Sequence, residues 1–180
     1  MSSNAEHSIV NCGYVRTMAA YNAEMNERLY MAASRLDDTM RRADRGAFWR
    51  SIHGTFNHLL WADQIWMSRF DNWEKPTKPS GTELFAEFPE LWKARREADA
   101  AISVWAYRID AAWLDSDLTW FSGAAGREIT MAKGLLVAHF FNHQTHHRGQ
   151  AHALLTAAGE KTGDMDMFLI PEVVAAALAG

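Results

Sequence analysis

Four long segments of this chain repeat apolar residues at alternating steps of three and four, which is the spacing of one face of an α-helix. The segments cover about residues 12–37, about 47–70, a stretch that begins near Pro89, and about 131–158. The connection between the first two is short and polar, which favours antiparallel neighbours. The pattern therefore predicts an all-α fold, an antiparallel four-helix bundle.

Two shorter features complete the predicted fold. The segments LTWF and REITM flank the glycine-containing turn SGAAG, which predicts a small β-hairpin near residues 117–130, between the third and fourth helices. Pro171 precedes an alanine-rich stretch from Glu172 to about Ala179, which predicts a short C-terminal helix. With 180 residues and no internal repeat, the chain is expected to form one domain, residues 1–180.

Composition and charge narrow the classes of function. The net charge is -4 and basic residues are interleaved with acidic ones, so no basic stripe is available for nucleic acid. The sequence has neither a secretory signal pattern nor a membrane span, so we expect a soluble cytoplasmic protein. The single cysteine, Cys12, excludes an internal disulfide and a multi-cysteine zinc site, so a metal would be bound by histidines or carboxylates.

Histidines interrupt the apolar stripe of the fourth helix. His143 and His147 are four residues apart in the segment NHQTHHRGQ, so on a helix both imidazoles lie on the apolar face, one turn apart. Two buried imidazoles need hydrogen-bond partners or a metal ion. A core hydrogen-bond network is one interpretation. The four-residue spacing, with further histidines nearby, favours one shared divalent metal ion.

A metal site needs a third ligand, and His58 on the second helix is the best candidate because small neighbours on its stripe leave room beside it. His53 is the competitor, although its position five residues earlier points it away from His58. We interpret His139 as an aromatic-packed or capping residue and His146 as a surface or supporting residue. His152 has no informative spacing.

Three polar residues near the predicted ligands are candidates for orienting them: Asp63, Arg148 and Gln150. A ligating histidine usually donates its other ring N–H to an acceptor, and Asp63 and Gln150 are the nearest in sequence. Arg148 can also be an ordinary structural residue that pairs with a carboxylate such as Asp63. Gln144 follows His143 where a metalloprotease has its catalytic glutamate, which argues against a zinc protease.

Three segments carry a resemblance that covers nearly the whole chain: YNAEMNERL in the first helix, GAFWRSIHGTFNHLLWADQIWMSRF in the second, and HFFNHQTHHRGQAHALLTAAG in the fourth. They resemble the DinB family of small bacterial metalloenzymes, whose fold is similar to the YfiT bundle. In that family one histidine of the second helix and two of the fourth, four residues apart, bind a divalent metal. The resemblance implies that His58, His143 and His147 do so here.

The resemblance also implies a metal-dependent enzyme that acts on a small molecule. Relatives include transferases and isomerases that use bacillithiol or mycothiol, so transfer of a low-molecular-weight thiol to a small electrophile is one expected reaction and metal-assisted hydrolysis is another. The alternative is a metal-binding stress protein or a dimerisation module without turnover. A fourth protein ligand such as His53 or Asp63 would favour that alternative.

The nature of the metal, the oligomeric state and the pH dependence complete the sequence-based expectations. Three imidazoles suit zinc, nickel, copper and iron about equally. Eight tryptophans and the apolar tail VVAAALAG predict a homodimer. Because an imidazole must be deprotonated to bind a metal, we expect occupancy to fall below about pH 6.5.

Overall fold

The computed structural model describes residues 8–123 and 125–179. This part of the chain is mostly helical, with one two-stranded antiparallel hairpin, so the predicted helical class and its hairpin are confirmed. The elements are, in order, α1 (Cys12–Ser34), α2 (Asp38–Arg42), α3 (Ile52–Phe70), α4 (Phe88–Arg108), α5 (Ala111–Leu114), β1 (Asp117–Ser122), β2 (Arg127–Ala132), α6 (Lys133–Ala157), a 3-10 turn (Met167–Leu169) and α7 (Pro171–Leu178).

Side-chain caps determine where the helices begin. Asn11, Asp37 and Ser51 precede α1, α2 and α3, and each accepts a hydrogen bond from the backbone N–H three residues later. Pro89 lies in the first turn of α4, where its missing N–H costs nothing. The prediction that the second long helix starts near residue 47 is wrong: residues 47–50 form a turn, and Ser51 caps a helix that begins at Ile52.

The long helices pack around two apolar clusters. Helices α1 and α3 each contact both α4 and α6. The first cluster includes Tyr30, whose ring stacks on Phe56 with centroids 4.1 Å apart. The second includes Trp105, stacked on Phe70 at 5.7 Å. Helices α1 and α6 run from the second cluster to the first, and α3 and α4 run in the opposite direction.

A buried polar layer lies between the two clusters, and each long helix contributes to it. Its members are Asn22 and Asn26 from α1, Asp63 from α3, Arg95 and Asp99 from α4, and Gln144 and Arg148 from α6. Arg95 Nη1 donates to Asp63 Oδ2 at 2.5 Å, and its Nη2 lies 2.9 Å from Asp99 Oδ1. Gln144 Nε2 donates to Asp63 Oδ1 at 2.8 Å. Because a buried charge must be paired, these bonds favour one alignment of the helices along their axes.

The smaller elements lie where the sequence predicts them. Strands β1 and β2 pair antiparallel with Thr119 opposite Thr130, and the hairpin leads directly into α6. The short C-terminal helix α7 packs on α1. Within residues 8–123 and 125–179, no helix is both long enough and apolar enough to cross a membrane.

Candidate metal centre

Three imidazoles from two helices converge beside the polar layer. His58 comes from α3, and His143 and His147 come from successive turns of α6. One ring nitrogen of each lies within 4.8 Å of the others. The Nε2 atoms of His58 and His143 are 3.3 Å apart. Two nitrogens that each lie about 2.05 Å from a tetrahedral zinc ion are about 3.3 Å apart, so this separation fits shared coordination.

Burial keeps these rings neutral, which metal binding requires. Burial, followed by the nearby His147 and His143, lowers the pKa of His58 to about 3. Burial and the neighbouring histidines lower the pKa of His143 to about 4. Burial also lowers the pKa of His147, although the hydrogen bond to Gln150 opposes it. Because protons compete less well for these nitrogens, metal occupancy should begin to fall at a more acidic pH than the 6.5 expected from the sequence.

Gln150 orients one of the rings. Its side-chain oxygen lies 2.7 Å from Nδ1 of His147 and can only accept, so Nδ1 carries the proton and Nε2 keeps a free lone pair. Gln150 Nε2 in turn donates to Nε2 of the exposed His146 at 3.2 Å. The structure thus brings Gln150 to the histidines, in the supporting position that the sequence suggested. His58 is oriented differently, since its ring stacks on Trp49 with centroids 3.8 Å apart.

Asp63 and Arg148 lie in the polar layer and do not hydrogen-bond to the three histidines. Asp63 follows His58 by five residues, which turns it to another side of α3, where it bonds Arg95 and Gln144. The interpretation of Asp63 as an acceptor for a ligand ring is therefore wrong. The proposed Arg148–Asp63 pair is also not formed: Arg148 Nη2 donates to Thr145 Oγ1 at 3.3 Å. Burial lowers the pKa of Arg148 to about 10.

The remaining histidines have other partners. Nε2 of His53 donates to the backbone carbonyl of Phe85 at 3.1 Å, and His53 is fully buried. The ring of His139 packs edge-on against that of Trp66, with centroids 5.2 Å apart, which agrees with its interpretation as an aromatic-packed residue. Nδ1 of His152 lies 2.7 Å from Thr162 Oγ1. Within the described chain, the group of potential metal ligands therefore holds three histidines and no carboxylate.

A cavity of about 490 Å³ reaches the centre from one side, and His58 is the member of the trio that lines it. Its other walls come from the end of α2 and the chain after it, the turn before α3, the first turns of α3, and residues 81–83: Arg42, Asp44, Phe48, Trp49, Arg50, Ser51, Gly54, Asn57, Gly81, Thr82 and Glu83. The basic and acidic side chains pair with one another there, as Arg42 with Glu83 and Arg50 with Asp44. A small molecule in this cavity would contact both charged groups and aromatic rings.

Trp49 and the four members of the polar layer that come from α1 and α4 were not predicted from the sequence. The contact of Trp49 with His58 depends on the turn of residues 47–50, and a turn gives no periodic pattern in the sequence. The polar layer did have a signal: Asn22 and Asn26, like Arg95 and Asp99, are four residues apart inside apolar stripes.

Comparison with protein families identifies the family of this chain. The sequence model described as the DinB family matches residues 1–174. Comparison with curated proteins and with solved structures gives no match. The family match covers nearly all of the 180 residues, including the three converging histidines. The chain belongs to the DinB family.

Proposed function

We propose that this protein is a divalent-metal-dependent enzyme whose ligands are His58, His143 and His147. The observation that carries the proposal is the convergence of their ring nitrogens within 4.8 Å, with one pair at 3.3 Å. A hydrogen bond between two neutral imidazoles at that distance would be long, since N–H bonds are usually about 2.7–3.2 Å. Shared coordination accounts for the spacing, and burial accounts for the neutral rings.

An open coordination position supports an enzyme over a closed structural site. Structural zinc sites usually have four protein ligands, whereas catalytic sites have three and leave a position for water or substrate. Among the residues that the structure describes, the two candidates for a fourth ligand are engaged elsewhere: His53 bonds Phe85, and Asp63 bonds Arg95 and Gln144. A fourth protein ligand was the feature that would favour a metal-binding stress protein or dimerisation module, and neither His53 nor Asp63 is free to provide it.

The reaction we propose is transfer of a low-molecular-weight thiol, such as bacillithiol or mycothiol, to a small electrophile. A bound divalent ion would lower the pKa of a coordinated thiol or water. The chain's own contribution is to supply three neutral donors, to fix His147 through Gln150, and to provide the adjacent cavity for the substrate. Three imidazoles accept zinc, nickel, iron or copper, so the ion is assigned only as a divalent transition metal.

Metal titration combined with an activity screen tests this proposal. Isothermal titration of metal-free protein with Zn²⁺ should give one site per chain, and His147→Ala should remove most of the affinity. His152→Ala is the matched control, because its ring bonds Thr162 outside the centre. The loaded protein is then assayed with bacillithiol, mycothiol and glutathione against electrophiles. Equal affinity in wild type and His147→Ala would refute the metal site; binding without turnover of any thiol would leave the non-catalytic alternative.

We also propose that the four long helices form an antiparallel bundle and that the protein is a cytoplasmic homodimer. The opposite directions of the α1/α6 and α3/α4 pairs support the bundle. Exposed apolar side chains near the C-terminus support the dimer: Phe168 is 74% exposed, Leu169 is 60% and Leu178 is 81%. Small-angle scattering at several concentrations tests it, and a compact monomer at the highest concentration would contradict it.

A further inference from the structure

The three histidines are not held in place in the same way. The Nδ1 atom of His147 has an acceptor, the side chain of Gln150. The Nδ1 atom of His58 is buried and has no hydrogen-bond partner among the residues described. Metal-ligating histidines normally donate this second N–H to an acceptor that fixes the ring. Because rotation of an imidazole about χ2 is soft, His58 needs another constraint if its Nε2 is to face His143.

Trp49 provides a constraint of a different kind. Its ring lies over His58 with centroids 3.8 Å apart and an angle of 19° between planes, which is a stacked arrangement. Trp49 is held by no hydrogen bond through its own indole, since its buried Nε1 has no partner in the described part of the chain. Gly81 lies next to the indole, where an added Cβ would be 3.6 Å from it. The ring is therefore placed by its backbone and by packing.

The backbone that carries Trp49 is strained. The N–H of Ser51 donates to the carbonyl of Trp49 at 2.7 Å, across Arg50 with φ of 66°. This i to i+2 bond with positive φ is a rare and costly form of the γ-turn. Two further backbone bonds support it: Arg50 donates to Ala47 and accepts from Arg45, both at 2.8 Å. Backbone strain of this kind persists only where the surroundings over-determine it, and it concentrates at functional sites.

Gly54 allows the turn to approach α3. A Cβ added at this position would lie 2.3 Å from the carbonyl oxygen of Trp49, which is a backbone atom and cannot move independently. The backbone N–H of Gly54 also donates to Ser51, the cap of α3, at 3.0 Å. The start of α3, the strained turn and the position of Trp49 are thus one unit, one helical turn before His58.

We propose that Trp49 is the positioning residue of the metal centre: its stacked indole holds the His58 ring in the orientation that directs Nε2 toward the shared ion. This rests on the proposed metal site. Trp49 replaces the hydrogen-bond acceptor that His58 lacks. The same indole forms a wall of the cavity, so a substrate that displaced it would alter the geometry of His58 directly.

Co²⁺ binding tests this inference, because the visible absorption bands of Co²⁺ report ligand geometry without any assay of activity. Metal-free wild type, Trp49→Leu, Trp49→Phe and Phe121→Leu are titrated with Co²⁺, and circular dichroism checks that each variant is folded. Trp49→Leu should shift the bands and weaken binding about 10-fold, the lower end of the loss seen for supporting residues of metal sites. Trp49→Phe keeps an aromatic face and should restore most of both properties.

Phe121→Leu is the matched control, because Phe121 lies on β1, is 65% exposed and does not line the cavity. It should leave the bands and the affinity unchanged. Gly54→Ala is a second route to the same effect, since it must displace the Trp49 carbonyl. If wild type binds one Co²⁺ and Trp49→Leu binds it with the same bands and affinity, this inference is wrong and the metal site stands. If wild type binds no Co²⁺, the proposed function fails and the inference fails with it.

Discussion

The substitution Asp63→Ala should destabilise the protein strongly, because Asp63 is the acceptor at the middle of the buried polar layer. Its side chain is 1% exposed and binds Arg95 through one oxygen and Gln144 through the other. Removing it leaves a buried guanidinium with one carboxylate, Asp99, instead of two, and leaves the Gln144 amide without its acceptor. Breaking a buried ion pair in this way costs about 3–5 kcal/mol. Since Asp99 still neutralises Arg95, we expect about 3 kcal/mol, the lower end of that range.

Urea unfolding followed by far-UV circular dichroism measures this loss as a change in the free energy of unfolding. Glu97→Ala is the control on the same helix as Arg95: Glu97 and its partner Lys93 are exposed, with side-chain accessibilities of 67% and 79%, and a pair of that kind contributes about 0.5 kcal/mol or less. A loss below about 1 kcal/mol for Asp63→Ala would be the size expected for a surface pair and would contradict a stabilising role of Asp63 in the polar layer.

Three further outcomes are expected. The pKa of His58 is lowered to about 3 and that of His143 to about 4, so below pH 6.5 the unfolded chain binds more protons than the folded chain. The free energy of unfolding of metal-free protein, measured by urea titration, should therefore fall by about 1 kcal/mol per ring between pH 7 and 5.5. A free energy of unfolding that stays constant over this range would contradict this expectation. Saturating Zn²⁺ should raise the free energy of unfolding at each pH but leave this pH dependence largely unchanged, because His58 and His143 carry no proton in the folded state with or without the ion; the same titrations measure both quantities. Gln150→Leu should weaken Zn²⁺ binding about 10-fold in calorimetry while His152→Ala does not, and equal affinities would disprove the role of Gln150.

The helices could be predicted because their signal is local. Apolar residues that recur at steps of three and four share one face of a helix, and α1, α4 and α6 lie in the segments where this pattern predicts them. The start of α3 could not be predicted in this way, since Ala47, Phe48 and Trp49 are apolar and extend the repeat. The helix begins only at Ile52, because Ser51 caps its first turn and Arg50, in the turn before it, is bonded to Arg45 and Ala47.

The candidate site was only partly predictable for a similar reason. The pairing of His143 with His147 follows from helix geometry alone. The approach of His58 to that pair depends on the axial position of α3 relative to α6. The hydrogen bond between Gln144 and Asp63 in the polar layer fixes that position. Nearness in sequence was misleading for Asp63, because five residues along a helix place its carboxylate on a different side from His58.

X-ray absorption fine structure of the zinc-loaded protein is the most direct test of an open metal site with three histidine ligands, because it counts the ligands of the ion and identifies imidazole by its multiple scattering. We expect three imidazoles at about 2.0–2.1 Å and at least one further light atom, from water or substrate. His58→Ala, loaded in the same way, should show two imidazoles, whereas His152→Ala should still show three. A first shell with fewer than three imidazoles in the wild type, or one closed by four protein ligands, would contradict an open site formed by His58, His143 and His147.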